Sequence, residues 1–155
     1  MRIGVLSDTH GLLRPQAVEA LRDCEHILHA GDVGDAAILE QLRSLAPVTA
    51  IRGNVDCTGV CAALPPTEAV QLAGHWVYLL HNLDDLDLHP AAAGMAAVIY
   101  GHTHRPEISW RDGVLYLNPG SAGPRRFSLP VAVAIVEVTS AGLEPRIVPL
   151  DVKGL

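Results

Sequence analysis

A chain of 155 residues is expected to form a single domain, here spanning residues 1–155. Its composition, 49% hydrophobic and 18% charged, excludes a disordered, collagen-like or coiled-coil protein. The formal net charge of −6 argues against a general nucleic-acid or anionic-membrane binder, because such proteins carry a basic surface. No apolar stretch approaches the roughly 20 residues that cross a membrane.

The number and spacing of the cysteines indicate the redox compartment of the protein. Cys24, Cys57 and Cys61 are odd in number and lack a C-x-x-C pair, which indicates reduced thiols and a cytoplasmic location. The N-terminal residues lack the apolar length and cleavage site of a signal peptide. The high hydrophobic content leaves a homo-oligomer open without locating an interface.

The first third of the chain alternates between strand and helix patterns. Pro15 suits the first turn of one helix, and Asp35 suits the cap of the next. Strands are predicted over 2–6, 25–30 and 48–51, and helices over 15–22 and 35–45. This βαβαβ order predicts a parallel sheet with right-handed crossovers.

The rest of the chain is richer in strands. Two hairpins are predicted, one around Ala73-Gly74-His75 and one at Asp112-Gly113. The predicted elements are strands over 69–72, 76–80, 97–100, 108–111, 114–117, 131–138 and 145–150, and a short helix over 84–93. So many strands with few helices predict an α/β fold in which two sheets pack together with helices outside.

Five polar clusters each follow an apolar, strand-like run. Because the carboxyl ends of strands in open α/β sheets meet where ligands bind, these clusters can converge on one site. The side chains concerned are Asp8, His10, Asp32, Asn54, His81, His102 and His104. Each cluster alone has a simpler explanation, such as a turn or a strand end, but their ordered combination indicates a metal site.

The ligand types and spacings favour two transition metals. Imidazole with carboxylate suits Mn, Fe, Zn, Ni or Co, whereas Mg and Ca prefer oxygen ligands. In an extended segment, residues i and i+2 face the same side, so D-x-H and H-x-H could each present both residues to one cluster. Seven ligands are too many for one tetrahedral zinc, but they suit two metals that share a bridging carboxylate.

The order D-x-H, G-D, G-N, H, G-H-x-H resembles that of the calcineurin-like metallophosphoesterases. The S-D-T-H-G opening and the later Asn118-Pro119-Gly120-Ser121 are similar to the small YfcE-type phosphodiesterases. The resemblance extends from Arg2 to about Arg125 and implies a four-layer α/β/β/α sandwich of two mixed sheets flanked by helices.

The resemblance also implies a site and a reaction. Asp8, His10 and His104 would bind one metal, Asn54, His81 and His102 the other, and Asp32 would bridge them. The family-based expectation is Mn²⁺, although the ligands also suit Ni²⁺, Fe²⁺, Co²⁺ or Zn²⁺. The implied activity is a dinuclear phosphodiesterase that hydrolyses a small phosphate ester by attack of a metal-bridging hydroxide, with Asp32, Asn54 and His81 as the catalytic residues.

Two positions depart from the family pattern. Many relatives carry histidine after the motif asparagine, where it can assist the leaving group, but this chain has Val55. Asn82 follows the site histidine where glycine is common. Without that general acid we expect aryl or nucleotide-like diesters to react better than alkyl esters, unless His75 lies close enough to replace it.

Several alternatives remain open at this stage. The motifs equally permit a phosphomonoesterase, while a retromer-type scaffold protein would share the fold with a degraded metal site. A nuclease of the same superfamily is less attractive because of the small size and negative charge. Outside the motifs, His29 and Asp56 could support the ligands, whereas Arg125 and Arg126 are more simply explained as solvated loop residues than as contacts to substrate phosphate.

Overall fold

The computed structural model describes residues 1–152 and contains two five-stranded sheets with three short helices in that range. The strands are β1 (Arg2–Leu6), β2 (His26–His29), β3 (Val48–Ala50), β4 (Thr67–Leu72), β5 (His75–Leu80), β6 (Met95–Ile99), β7 (Glu107–Arg111), β8 (Val114–Asn118), β9 (Ala132–Thr139) and β10 (Gly142–Pro149). The helices are α1 (Pro15–Leu21), α2 (Ala36–Arg43) and α3 (Gly59–Ala62).

The first sheet has the strand order β10-β9-β1-β2-β3. Strands β1, β2 and β3 are parallel, β9 pairs with β1 in antiparallel orientation, and β10 pairs antiparallel with β9. As predicted, Pro15 lies in the first turn of α1, and the side chain of Asp35 caps α2 by accepting from the Ala37 amide. The predicted βαβαβ unit therefore forms and brings the carboxyl ends of three parallel strands to one edge.

The second sheet has the order β4-β5-β6-β8-β7 and is also mixed. Its two hairpins form where the sequence predicts them. Asp112 and Gly113 both have positive φ values, 52° and 78°, as do Ala73 and Gly74, at 48° and 82°. Two central turn residues in this region give a turn whose twist matches that of the flanking strands.

Three apolar layers hold the molecule together. Leu21, Leu39 and Leu42 pack α1 and α2 onto the outer face of the first sheet. Between the two sheets lies a core of fully or nearly fully buried residues: Ile3, Val5, Leu28, Ile51, Leu79, Ile99, Leu115 and Leu117. The fold class is therefore confirmed as α/β with two mixed sheets. No helix within residues 1–152 is long and apolar enough to cross a membrane.

The predicted helix over 84–93 is wrong. Only a 3-10 turn at Leu83–Asp85 forms there, followed by an irregular segment that covers the outer face of the second sheet. Asn82 accepts the Asp84 amide and starts this turn. Neighbouring aspartates compete for backbone hydrogen bonds, and Pro90 disfavours helical backbone at the preceding residue, so the helix cannot extend. The single turn of α3 was likewise not expected from the sequence.

Truncation of the core between the sheets should be costly. We expect Leu79→Ala to lower the free energy of unfolding by about 2–5 kcal/mol, because Leu79 is fully buried and the sheets cannot close over the cavity. Urea denaturation measures the change. Val60→Ala, at a side chain that is 63% exposed, is the matched control and should change stability by less than about 0.5 kcal/mol.

Candidate metal centre

The predicted ligands come together where the ends of the two sheets meet. The Asp8 amide donates to the Gly31 carbonyl at 3.0 Å, which joins the loops after β1 and β2. The Gly101 amide donates to the His81 carbonyl, also at 3.0 Å, which joins the loops after β5 and β6. The His102 amide then donates to Asp8 Oδ2 at 3.1 Å and links the second sheet to the first.

The backbone at the ligands differs from the extended geometry expected for D-x-H and H-x-H. Five predicted ligands have positive φ values: Asp8 (57°), His10 (47°), Asp32 (55°), His102 (75°) and His104 (61°). Left-handed backbone is uncommon outside glycine and clusters at functional sites. The chain therefore turns sharply at each of these five residues. Between Asp8 and His10, the Thr9 hydroxyl donates to the Val33 carbonyl.

Two motif glycines permit the close packing of these loops. A Cβ at Gly53 would collide with the Asp32 carboxylate, and a Cβ at Gly101 would collide with the Ser7 hydroxyl and lie 2.7 Å from Asp8 Oδ2. Glycine is required at both positions because backbone must lie directly against a ligand carboxylate. This explains the glycine in the G-N and G-H motifs.

One group of ligand atoms is formed by Asp8, His10 and His104. Asp8 Oδ1 lies 3.6 Å from His10 Nε2 and 3.4 Å from His104 Nε2. The imidazole rings of His10 and His104 lie side by side, with centroids 5.2 Å apart. These three residues are the set expected to bind one metal.

A second group is formed by Asp8, Asp32 and His81. Asp32 Oδ2 lies 3.1 Å from His81 Nε2 and 3.5 Å from His10 Nε2. The Asp32 carboxylate therefore lies between a histidine of each predicted metal position, as a bridging ligand would. Asp8 Oδ1 also belongs to both groups, a feature that the sequence did not predict.

The two remaining predicted ligands lie at the edge of the centre. The ring of His102 packs edge-on against that of His81, with centroids 5.3 Å apart. Asn54 is exposed and lines a cavity of about 300 Å³ together with His81. Both residues therefore lie on the His81 side of the centre, which is the side to which the resemblance assigns them.

The electrostatics of the centre are set by two buried carboxylates among histidines. Burial works to raise the pKa of Asp8, but its contacts with His10 and His104 outweigh burial and hold that pKa far below its usual value. Burial also opposes ionisation of Asp32, yet contact with His81 and the hydrogen bond from the Val55 amide lower its pKa. Both carboxylates are therefore negatively charged near neutral pH.

The same contacts also shift the pKa values of His10 and His81. The contact with Asp8 raises the pKa of His10, and the nearby charge of Arg126 works against that increase. Burial works to lower the pKa of His81, but the Asp32 carboxylate outweighs it and the pKa is raised. The centre therefore attracts positive charge, supplied either by protons on imidazole or by a metal.

Three buried polar atoms that lie close together support the metal interpretation. Asp8 Oδ1, His10 Nε2 and His81 Nε2 have no hydrogen-bond partner among residues 1–152. Buried polar atoms without partners are costly and rare, so such a cluster calls for a ligand. Nitrogen and carboxylate donors at this spacing fit divalent transition metals.

His29 lies directly behind the centre, as expected for a supporting residue. Its Nδ1 accepts from the Gly31 amide, so Nε2 carries the proton and donates to the Thr9 hydroxyl at 3.0 Å. Burial lowers the pKa of His29 to about 4, which keeps the ring neutral and this proton arrangement fixed.

Asp56 has a larger role than the sequence indicated. Its buried carboxylate accepts backbone amides from Val33, Gly34 and Gly53 at 3.0–3.1 Å. These amides belong to the loops that carry Asp32 and Asn54, so one carboxylate fixes the two loops together. Asp56 falls only two residues after Asn54 in the sequence, but nothing there shows which amides it meets.

The N-P-G-S segment also supports the site. Asn118 Nδ2 donates to the Gly101 carbonyl and the Thr103 hydroxyl, both at 3.1 Å. The Ser121 hydroxyl donates to the Asp8 carbonyl at 3.1 Å. The motif therefore does more than end β8, because it also fixes the loops that carry Asp8, His102 and His104.

The structure places His75 far from the centre and the pair Arg125 and Arg126 beside it. His75 begins β5, whereas His81 follows its end, so roughly 20 Å separates them at about 3.3 Å per residue. His75 cannot replace the missing general acid. Arg125 and Arg126, in contrast, line a cavity together with His10 and His104, which favours contacts to substrate phosphate over a solvated-loop role.

The fold and the centre have counterparts in known proteins. Residues 1–141 match the family described as the calcineurin-like phosphoesterase superfamily domain. The chain belongs to this superfamily. It is 34% identical to a protein of Methanothermobacter thermautotrophicus named "Probable metallophosphoesterase", over 96% of this chain and 92% of that protein.

Solved structures of similar fold include both enzymes and a sorting protein. An archaeal phosphodiesterase is 26% identical with a TM-score of 0.77, covering 97% of this chain and 100% of its own. The phosphoesterase YfcE from E. coli is 24% identical with a TM-score of 0.69, covering 88% of each chain. Vps29 from Chaetomium thermophilum is 16% identical with a TM-score of 0.76, covering 97% of each chain.

Removal of the Asp56 carboxylate should weaken metal binding at the centre without removing a predicted ligand. We expect Asp56→Ala to weaken Mn²⁺ binding about 10–100-fold and to lower the free energy of unfolding by about 1–3 kcal/mol. Isothermal titration calorimetry and urea denaturation measure the two effects.

Asp35→Ala provides the matched control, because it removes a carboxylate that caps α2 instead of fixing the ligand loops. We expect it to cost about 0.5–2 kcal/mol of stability while metal affinity stays the same. Equal loss of metal affinity in both variants would contradict the role assigned to Asp56.

Proposed function

We propose that this chain is a dinuclear, Mn²⁺-dependent phosphodiesterase that acts on a small phosphate ester in the cytoplasm. The observation that carries the proposal is the pair of ligand groups that share Asp8, in which Asp8 Oδ1 lies 3.6 Å from His10 Nε2 and 3.7 Å from His81 Nε2 while all three buried atoms have no hydrogen-bond partner among residues 1–152. Membership of the calcineurin-like phosphoesterase superfamily and the likeness to an archaeal phosphodiesterase support it.

The seven predicted ligands would hold the ions. Asp8, His10 and His104 form one position, Asn54, His81 and His102 the other, and Asp32 lies between them. When bound, two divalent ions supply an acidified water and positive charge for displacement at phosphorus. With two carboxylates and otherwise neutral ligands, the centre would retain about two positive charges, which suits an anionic ester.

The surrounding groups hold the ligands in a productive orientation. Ser7 Oγ donates to Asp8 Oδ2 at 2.8 Å, and the Val55 amide donates to Asp32 Oδ1 at 3.0 Å. His81 Nδ1 donates to the Ala30 carbonyl at 2.7 Å, so its Nε2 carries no proton when the ring is neutral. Asp8, Asp32 and His81 therefore each present a free atom to the centre before a metal binds.

The space beside His81 suits a small ester. A cavity of about 300 Å³ is lined by Asn54, His81, Asn82, Arg52 and Gly53 on one side. The Asn54 amide can donate to a phosphate oxygen, and the Arg52 guanidinium lies in the lining of the same cavity. This volume suits a small-molecule ester rather than a duplex nucleic acid.

Hydrolysis assays test the proposal directly. We expect metal-stripped protein to be inactive on bis-p-nitrophenyl phosphate and to regain turnover as Mn²⁺ is added, with p-nitrophenyl phosphate reacting more slowly. Asp32→Asn should reduce kcat by at least about 100-fold because a ligand shared by both positions is lost. Circular dichroism verifies that the variant is folded.

The outcomes separate the alternatives. Faster hydrolysis of the monoester would keep the metal-dependent mechanism and make the chain a phosphomonoesterase. Tight metal binding without turnover of either ester would favour the retromer-type scaffold, a role for which the fold similarity to Vps29 is the support. The complete set of seven ligands favours the enzyme.

The valine at position 55 should limit the range of leaving groups. Its side chain is 47% exposed and its amide contacts Asp32, so a histidine here would reach the reacting ester. We expect Val55→His to raise kcat for alkyl phosphodiesters at least about 100-fold, with little change for p-nitrophenyl esters. The slope of log kcat against leaving-group pKa measures this difference.

Val60→His serves as the control, because residue 60 is exposed on α3 and is not among the residues that line the centre. It should leave the slope unchanged. An unchanged slope in Val55→His as well would show that the valine does not limit leaving-group chemistry.

A further inference from the structure

The segment after β8 is fixed against the loop that carries Asp8 and His10. The Ala122 amide donates to the Ser7 carbonyl at 3.0 Å, and the Ser121 hydroxyl lies within hydrogen-bond distance of the Asp8 carbonyl. A Cβ at Gly123 would collide with the Thr9 carbonyl, so the two backbones are in direct contact. The residues that follow Gly123 therefore occupy a defined place beside the metal centre.

These residues form a groove that leads away from the centre. A cavity of about 250 Å³ lies next to the first ligand group and is lined by His10, His104, Pro124, Arg125 and Arg126. Beside it, a space of about 370 Å³ is lined by Leu12, Arg14, Pro124, Arg125 and Phe127. Pro124 and Arg125 line both spaces, so the two are adjacent, and we call them together the arginine groove. It is on the opposite side of the ligand set from the cavity at Asn54.

The groove is positively charged in an acidic protein. Arg14, Arg125 and Arg126 line it, and none of them forms an ion pair with any residue in the range 1–152. Arg14 is held by a 2.9 Å hydrogen bond from Nε to the Gly123 carbonyl. Its Nη2 is buried and has no partner in the described part of the chain. Guanidinium groups bind phosphate oxygens through paired hydrogen bonds, so the groove suits a second anionic group.

Phe127 lies at the far end of the groove. It is 88% exposed, the largest exposed fraction among the large hydrophobic side chains described, and its φ is +54°. A left-handed backbone is a genuine outlier for a bulky residue, and such strain clusters at ligand sites. An open aromatic face next to guanidinium groups provides a stacking surface for a planar ring.

We propose that this groove binds one arm of the substrate, a nucleoside arm that carries a further phosphate. The planar base would stack on Phe127, and the further phosphate would lie between Arg125 and Arg126. This assignment rests on the proposed phosphodiesterase function, because the reacting phosphate is placed at the metal centre. It makes the substrate class a nucleotide diester and makes Phe127 and Arg126 specificity-determining residues.

A binding experiment tests the groove without requiring turnover. Phe127 is the single phenylalanine of the chain, so ¹³C-labelled phenylalanine reports this ring alone in NMR spectra. In Zn²⁺-loaded protein, thymidine 3′,5′-bisphosphate should shift the Phe127 ring signals upfield through the ring current of the base. Deoxyribose 5-phosphate, which has the anion but no base, should leave them in place. Unshifted signals at saturating nucleotide would overturn the proposal.

Kinetics with a common leaving group test the specificity. The three substrates are methyl p-nitrophenyl phosphate, the p-nitrophenyl ester of thymidine 5′-phosphate, and its 3′-phosphorylated form. Phe127→Ala should lower kcat/KM about tenfold for both thymidine esters, because one stacking contact is lost, and should spare the methyl ester. Arg126→Gln should abolish the advantage of the 3′-phosphorylated ester.

Matched controls are Trp76→Ala, at an aromatic residue 44% exposed near the start of β5, and Arg43→Gln at the end of α2. Neither variant should change the ratios of kcat/KM among the three substrates. If the wild type hydrolyses none of the three esters with any metal, the proposed function fails, and the NMR titration still decides whether the groove binds nucleotide. If the methyl ester reacts but Phe127→Ala affects all three substrates equally, the groove proposal fails and the hydrolase stands.

Discussion

The Asp8 carboxylate is fully buried among three histidines, and the rest of the centre depends on balancing its charge. A buried carboxylate without a partner would take up a proton, since loss of hydration penalises the charged form. Here the imidazoles and two donors to Oδ2, the Ser7 hydroxyl and the His102 amide, keep it ionised. The other oxygen, Oδ1, has no hydrogen-bond partner among residues 1–152 and belongs to both ligand groups. That combination favours a divalent ion over a proton as the balancing charge.

The fold surrounds this carboxylate by bringing loops from both sheets together at one point. Loops from the first sheet contribute Asp8 and Asp32, and loops from the second contribute His81 and His104. Left-handed backbone at the ligands carries strain, which is offset by backbone hydrogen bonds between loops and by the buried Asp56 carboxylate. The core between the sheets holds the two sets of loops together, so stability of the sheet interface and metal affinity should be linked.

The two sides of the centre differ in chemistry. The His81 side opens to a polar cavity with Asn54, while the His10 side leads into the arginine groove that ends at Phe127. A substrate with two unlike ester arms would use both sides, and the valine at position 55 offers no proton to either. Under the proposed function, these surroundings would favour good leaving groups and a nucleotide-like arm.

The sequence by itself determined which residues form the candidate ligand set and where most of the strands lie, because a metal site needs particular residue types and because apolar runs with turn residues are local signals. It also determined both hairpins, since Asp112-Gly113 and Ala73-Gly74 suit left-handed turn positions. The helix expected over 84–93 does not form, because Pro90 and the clustered aspartates disfavour helical backbone there. Only the tertiary structure decided that the ligands lie on left-handed backbone, that Asp56 joins two loops, and that the arginines after Gly123 face His10. These are contacts between residues far apart in sequence, and their partners are set by how the sheets pack.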